Sequence, residues 1–464
     1  MRFKIQLVIE NGQGELSTED IIQLDKSDNQ NNTLGLSLQE SKSILKELQR
    51  RMVLNQAENY IQTHRNCSKC KKKRRIKRHQ TIQFRTLFGI ITIPDVCVYH
   101  CGCDDSSTKT FSLLKQWLPE HTSPELLYIE TKWASLMSYG LTSALLKDIL
   151  PISHTQNAAT VRNHLQKIAK LQESELENKP NSLSGCPRDW GNLPKPDKPM
   201  TVGIDGGYVR NWHQKNTNFE IIAGKSFSKT KNAKRFGLVQ KMDDNPRRRL
   251  MHTLSEQGMQ TNQQITFLSD GAENVRNLQY MMYPESEHVL DWFHITMKIT
   301  VLNQFTKGLT YSDPSEGTKV KKKLESIKWH LWHGNVKKAL DYLEDCCMIF
   351  DDENIKYKNR KKFLQYLEEM ETYIRNNSHL IPNYGEKYRY GEVISTSFVE
   401  STINEVVAKR MVKKQQMQWT HEGAHYLLQT RTAVLNNDLQ KHFERWYPGL
   451  KITDRQGTHL AKTA

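Results

Sequence analysis

No run of apolar residues in this 464-residue chain approaches the ~20 that a helix needs to cross a bilayer, so a membrane-spanning protein is not expected. A secretory signal is not expected either: Met1-Arg-Phe-Lys-Ile-Gln-Leu-Val-Ile-Glu10 is too short and too polar for one and reads better as a strand. No repeat stands out at a period of 20–50 residues, which argues against a solenoid or propeller. Acids are in short supply: 51 Asp and Glu face 67 Lys and Arg, a formal net charge of +16. With a pI near 9.3, such a chain suits a polyanionic partner such as nucleic acid, because lysine and arginine on phosphates displace condensed counterions. Without an export signal the expected location is cytoplasmic, where the eight cysteines would be reduced thiols or metal ligands rather than disulfides.

The length allows roughly three domains. After a polar stretch from Asn11 to about Thr33, the segment from Ser37 to about Gln62 reads as a packing helix. Ser37 and Glu40 stand at capping-box spacing, and Ile44, Leu45, Leu48, Met52 and Val53 follow at a period of three to four. Cys67-Ser-Lys-Cys70 and Cys97-Val-Tyr-His-Cys101-Gly-Cys103 then suit tetrahedral thiolate coordination of a structural zinc ion. The expected ligands are Cys67, Cys70, Cys101 and Cys103, with Cys97 as the spare; a set of buried free thiols is the competing reading. Between the pairs, Thr81 to Ile93 is rich in β-formers, which fits the hairpin of a zinc ribbon. The basic run beside the first pair contains Lys71, Lys72, Lys73, Arg74, Arg75, Lys77 and Arg78, expected either to track DNA phosphates or to form a solvated face.

Residues 105–185 read as helical. Leu141 to Leu150 forms one short helix, Pro151 stops it, and a second helix buries Ala158, Val161, Leu165 and Ile168. Arg162, Asn163, His164 and Lys167 are left for the other face. This pattern fits a DNA-binding helix-turn-helix, with Arg162 toward the groove, and fits an ordinary helical hairpin equally well. A stretch with Pro187, Pro194, Pro196 and Pro199 marks a linker over 186–199.

From Thr201 the texture changes to strands. Thr201 to Ile204 delivers Asp205 onto Gly206-Gly207; Phe219 to Gly224 and Arg235 to Gln240 complete a meander. A helix over Arg247 to Gln257 precedes the strand Gln264 to Ser269, which ends on Asp270-Gly271 and leads into another helix. Strand-end acids in this element order predict a ribonuclease H-like domain, although Asp-Gly is also ordinary turn chemistry. His288 to Asp291 continues as a strand into an amphipathic helix, and His294 is expected near the reacting phosphate or in aromatic packing. Residues 312–390 read as an α-helical insertion. At 100° per residue Glu400 sits on the margin of a face formed by Val399, Ile403, Val406 and Val407, and Glu405 points nearly the opposite way. Ser397 and Glu400 also stand at capping-box spacing, so the glutamate has a purely structural alternative. Lys409, Arg410, Lys413 and Lys414 follow, suited to phosphates.

Asp205, Asp270-Gly-Ala, Leu-Asp-Trp-Phe-His294, Leu-Trp-His-Gly334, Phe-Val-Glu400-Ser and the later Met-Gln-Trp-Thr together resemble bacterial insertion-sequence transposases of the DDE type. The resemblance runs from the Ser37 helix to about residue 437. It implies that Asp205, Asp270 and Glu400 are the catalytic acids holding two Mg²⁺ or Mn²⁺ ions, and that Asp291 and His294 form an Asp-x-x-His motif. The expected partner is double-stranded DNA, both element ends and target, bound by a homo-oligomer in the synaptic complex of a nucleoid-associated protein. Gly206-Gly207 departs from the small hydroxyl residue that many such transposases carry after the first acid.

The expected architecture is therefore multidomain α+β/α: an N-terminal strand and helix (1–66), a zinc-ribbon-like module (67–104), and the helix-turn-helix-like region (105–185). After the linker come the two parts of a ribonuclease H-like core (200–311 and 391–440) around the insertion, then a tail (441–464). A ribonuclease H-like resolvase that cuts without joining and a non-catalytic zinc-dependent DNA-binding regulator are the competing functions.

Overall fold

A computed structural model of the chain describes residues 1–10, 14–26, 34–104, 108–153, 155–178, 192–228, 232–284, 286–351, 357–395, 401–412 and 417–452. It is a mixed α/β structure that divides into two compact units, residues 1–168 with 437–464, and residues 169–436. No helix among the described residues is long and apolar enough to cross a membrane.

The first unit opens with an antiparallel hairpin of β1 (Arg2–Glu10) and β2 (Leu16–Asp25). The polar texture of residues 11–33 predicted no strand, yet β2 forms because Ile21 and Leu24 find burial against its neighbours. Helix α1 (Leu38–His64) starts at the predicted capping box: Ser37 Oγ accepts from the Glu40 amide and the Glu40 carboxylate accepts from the Ser37 amide. Next, β3 (Ile76–Thr86), β4 (Gly89–Tyr99) and β5 (Thr110–Ser112) make a three-stranded antiparallel sheet. Its apolar face, Ile82, Ile91 and Ile93, closes on Ala57 of α1 and on Leu114 of the short helix α2 (Leu113–Trp117). Helices α3 (Pro124–Leu136), α4 (Tyr139–Ile149) and the start of α5 (Ala158–Asn178) follow, and the helix Leu439–Trp446 returns to α3 through Phe443 on Tyr128.

The second unit is built on a five-stranded sheet of order β10-β9-β6-β7-β8. Strands β6 (Met200–Arg210), β7 (Asn218–Phe227) and β8 (Lys234–Leu238) form the antiparallel meander, while β9 (Ile265–Ser269) and β10 (Glu287–Leu290) run parallel to β6. Parallel neighbours require crossovers, and helices α6 (Pro246–Glu256) and α7 (Glu273–Met282) provide them. Val202, Ile204 and Phe267 on one face bury against Leu250, Leu254, Val275 and Leu278 of those two helices.

Helix α8 (Trp292–Ser312) then leads into α9 (Pro314–Trp332), α10 (Val336–Asp351), α11 (Arg360–Asn376) and α12 (Tyr384–Arg389), the helical stretch expected at 312–390. These helices share one core, including Leu324, Leu343, Phe363 and Leu367. The segment Asn404–Val412 winds as a π-helix and is followed by the helix His421–Leu435.

Candidate carboxylate row and cysteine centre

The register of the parallel strands decides where the acids fall. Gly203 of β6 lies opposite Leu268 of β9, and Leu290 of β10 lies opposite Ser269. Two residues beyond Gly203 is Asp205, two beyond Leu268 is Asp270, and one beyond Leu290 is Asp291. Three carboxylates thus share one row at the C-terminal end of the parallel strands. Asp205 is half-buried, and burial followed by repulsion from Asp270 lifts its pKa to about 6. The Gly206 amide, donating to Asp205 Oδ1 at 2.8 Å, works against that rise, as does His294, while Asp291 adds to it.

Each acid is held by its own loop. The Ala272 amide donates to Asp270 Oδ1 (2.9 Å), and the Tyr373 hydroxyl on α11 donates to the Asp270 carbonyl (2.9 Å). Gly271 takes φ +81°, so the turn after Asp270 needs glycine. The Gly271 amide donates to Ser269 Oγ (3.2 Å), which leaves the hydroxyl proton for His288 Nε2 at 2.7 Å. Burial, with Arg276 and His379 nearby, pushes His288 down to about 4, so its ring is a neutral acceptor. Asp291 is fully buried and caps α8, accepting from the Phe293 amide (2.9 Å). His294 Nε2 stands 3.6 Å from Asp291 Oδ2 with its side chain 29% exposed, so the predicted Asp-x-x-His pair is adjacent in space and its imidazole reaches solvent.

The glycine pair is not a turn. β6 runs straight through to Arg210, and Asp205 lies in mid-strand rather than at a strand end; only the parallel partner stops there. The meander with β7 continues past the acid and keeps the backbone extended. A Cβ on Gly206 would come within 2.6 Å of Glu220 Oε1, and one on Gly207 within 3.3 Å of Ile403 Cγ2. Glu220 also accepts from Asn274 Nδ2 at the start of α7. Sequence reading passed over this glutamate, although a lone acid within Phe219-Glu-Ile-Ile-Ala was a visible anomaly in an apolar strand.

Glu400 lies outside the described residues, as do Lys413 and Lys414. Just after Glu400, Ile403 and Val407 pack on Gly207, on the face of β6 that bears Asp205. The π-helical winding of 404–412 replaces the 100° phasing assumed from sequence. Glu405 does point elsewhere, to Arg235 Nε at 2.8 Å. Arg431 braces the first turn of the π-helix by donating to the carbonyls of Val406 (2.8 Å) and Glu405. Arg410 is a correction: instead of facing DNA it is fully buried, with its guanidinium 5.4 Å from the Trp419 ring centroid. Lys409 is exposed.

No family model matches this sequence, and no curated protein matches it.

In the first unit Cys67, Cys70, Cys101 and Cys103 converge, with all four Sγ atoms within 4.8 Å of one another. Among the described residues this is the one place where three or more metal-type side chains crowd so closely. Cys101 and Cys103 sulfurs are 3.7 Å apart and Cys70 and Cys101 sulfurs 3.3 Å. Four sulfurs at ~2.3 Å from a zinc ion stand about 3.8 Å apart, so the quartet fits that ion with small adjustments. Within the quartet, hydrogen bonding with Cys101 and Cys70 that favours its S–H form, with burial and repulsion, pushes the Cys103 thiol up to about 12, while backbone hydrogen bonds hold the Cys67 thiol down to about 7. Cys97 sits buried in β4 and stays out of the quartet. The knuckle turns on Lys71 at φ 60°, with the Lys71 amide donating to the Cys67 carbonyl (2.9 Å).

The basic run divides. Lys71, Lys72, Lys73, Arg75, Lys77 and Arg78 are exposed, the last two on β3. Arg74 turns inward, donating to Asp104 Oδ2 (3.3 Å) and to the Asn66 carbonyl (3.1 Å), so it braces the knuckle instead of offering a phosphate contact. Arg162 is exposed on α5. His164, assigned from sequence to the outer face, reaches inward to fully buried Glu130 at 2.5 Å.

Proposed function

We propose that the second unit is the nuclease core of a DDE-type transposase with a ribonuclease H-like fold. The strand order β10-β9-β6-β7-β8, with an antiparallel meander first and two parallel strands after it, supports that fold. The observation that carries the reading is the single row of Asp205, Asp270 and Asp291, three acids costly to place together unless cations neutralise them.

Asp205 and Asp270 would hold the divalent ions, with Glu400 as third acid; the packing of Ile403 and Val407 on Gly207, on the face of β6 that bears Asp205, supports that role. Mg²⁺ or Mn²⁺ supplies Lewis acidity at the scissile phosphate. The protein's own groups do the positioning. Tyr373 and the Ser269–His288 pair fix the loop of Asp270, and Asp291 orients His294, whose exposed imidazole donates to a phosphate oxygen. Water attacks the scissile phosphorus and expels the 3′ oxygen, giving a 3′ hydroxyl and a 5′ phosphate; that hydroxyl then attacks a target phosphorus in line and expels the target's own 3′ oxygen, so no oxidant or reductant enters. The cysteine quartet holds a structural zinc, and the exposed lysines and arginines beside it follow the DNA backbone.

The test uses the purified full chain with duplexes carrying the DNA that flanks its own coding region. Magnesium-dependent nicking and joined products are expected. Asp205→Asn and Asp270→Asn should each lower cleavage by at least about a thousandfold while DNA affinity is retained. Cleavage by Asp205→Asn at the native rate would refute the mechanism, and cleavage without joining would identify a resolvase.

A further inference from the structure

Strand β1 has an open outer edge. The Met1 ammonium donates to the Lys26 carbonyl and the Lys26 amide donates to the Met1 carbonyl, both at 2.8 Å, so odd-numbered residues of β1 turn their peptide groups toward β2. The register irregularity between Ile5 and Gln6 skips a residue of β2 and leaves the alternation along β1 unbroken. The peptide groups of Arg2, Lys4, Gln6, Val8 and Glu10 therefore point away from the hairpin, and among the described residues no strand pairs with them. Phe3 and Val8 are 50% and 60% exposed. β1 contains no proline and no bulge of its own, two of the devices that blunt such an edge, and its charges Arg2, Lys4 and Glu10 are of both signs.

We propose that this edge pairs antiparallel with the same edge of a second copy of the chain, about a two-fold axis at Gln6. That register is self-complementary: Arg2 meets Glu10 of the other copy at both ends, Phe3 meets Ile9, Ile5 meets Leu7, and Lys4 meets Val8 rather than another lysine. The outward-facing even residues become the hydrogen-bonded pairs of the new ladder, and Phe3, Ile5, Leu7 and Ile9 of the two copies extend one apolar face. Any other in-register centring loses the Arg2–Glu10 match. The hairpin is supported through β2, whose Glu19 pairs with Arg51 of α1, and pairing between copies sets the two β1 strands at the centre of a four-stranded sheet. The interface is isologous and closes at two copies. It stands independently of the nuclease reading.

The experiment is sedimentation velocity on the full chain, without DNA, over a wide concentration range. The native chain should sediment at twice the chain mass. Gln6→Pro removes one outward N–H without touching the hairpin's own ladder and should give the single-chain mass with unchanged circular dichroism. Glu10→Arg, which sets like charges across both ends, should weaken association several-fold. Under mild oxidation Gln6→Cys should cross-link two copies, because the residues at the axis lie about 5.5 Å apart between Cα atoms. Lys4→Cys, which faces Val8, should cross-link no more than the native chain. A native monomer at all concentrations, a Gln6→Pro dimer, or equal cross-linking by both cysteine variants would overturn the proposal.

Discussion

A carboxylate with a pKa near 6 instead of 3.8 has a definite effect on stability. Between those values the folded chain holds a proton that the unfolded chain has released. The corresponding stability is fully present below about pH 4 and is lost as pH rises through 6. Above pH 6 the ionised Asp205 is a net cost, on the order of 2–3 kcal/mol from 1.36 kcal/mol per pKa unit. Without divalent ions at pH 7.5, Asp205→Asn should therefore melt several degrees above the native chain, although the proposed mechanism expects the same change to remove cleavage. Calorimetry in chelator checks it, and an equal or lower melting temperature counts against a strained site. Gly271 gives the opposite case. An alanine there would sit at φ +81° with its Cβ 2.7 Å from Leu290 Cδ1 and also against Asn377 Oδ1. Left-handed strain of about 1–2 kcal/mol and overpacking of about 1–3 kcal/mol predict that Gly271→Ala destabilises by roughly 2–5 kcal/mol, measurable by urea titration. At this scale the sequence singled out Asp205 and Asp270, which the register of β6 and β9 brings side by side, but misjudged Arg74, Arg410 and His164. A basic side chain's direction depends on where an acceptor happens to stand, as half-buried Asp104 does for Arg74 and buried Glu130 for His164.

Among the elements, those with periodic apolar positions were legible. Helix α1, the β3–β4 hairpin, the meander and α6 lie close to where periodicity and capping placed them. The glycine pair in β6 misled because its local preference is for turns, whereas Glu220 and Ile403 use the space that side chains would fill. The π-helix at 404–412 has no sequence signature of its own; its Val406 carbonyl accepts from Arg431, twenty-five residues further along. The β3–β4 sheet has its own apolar cluster on α1, independent of the cysteines. Chelating zinc should thus loosen the knuckle while the sheet persists: four thiols should gain reactivity toward a thiol reagent with little change in far-UV circular dichroism. Loss of the strand signal on chelation would mean that the ion, not the cluster, holds this sheet.

For the whole molecule, a net charge of +16 predicts sequence-independent DNA binding dominated by counterion release. With six to ten phosphate contacts, affinity should fall by about 10³–10⁵ between 50 and 200 mM salt. Arg75→Ala and Lys77→Ala should each reduce the slope of log affinity against log salt by about 1, and Arg410→Ala should leave it unchanged while lowering stability. Fluorescence anisotropy at graded salt measures all three. The sequence by itself determined the charge, the capping signals, the apolar periods and the spacing of the cysteines, because each depends on neighbours within a few residues or on composition alone. Only the tertiary structure decided that Asp291 stands in line with Asp205 and Asp270, that Glu220 fills the space beside Gly206, and that Arg74 and Arg410 are spent inside the fold. Strand register and burial join residues far apart in the chain, and no local pattern encodes which of them will meet.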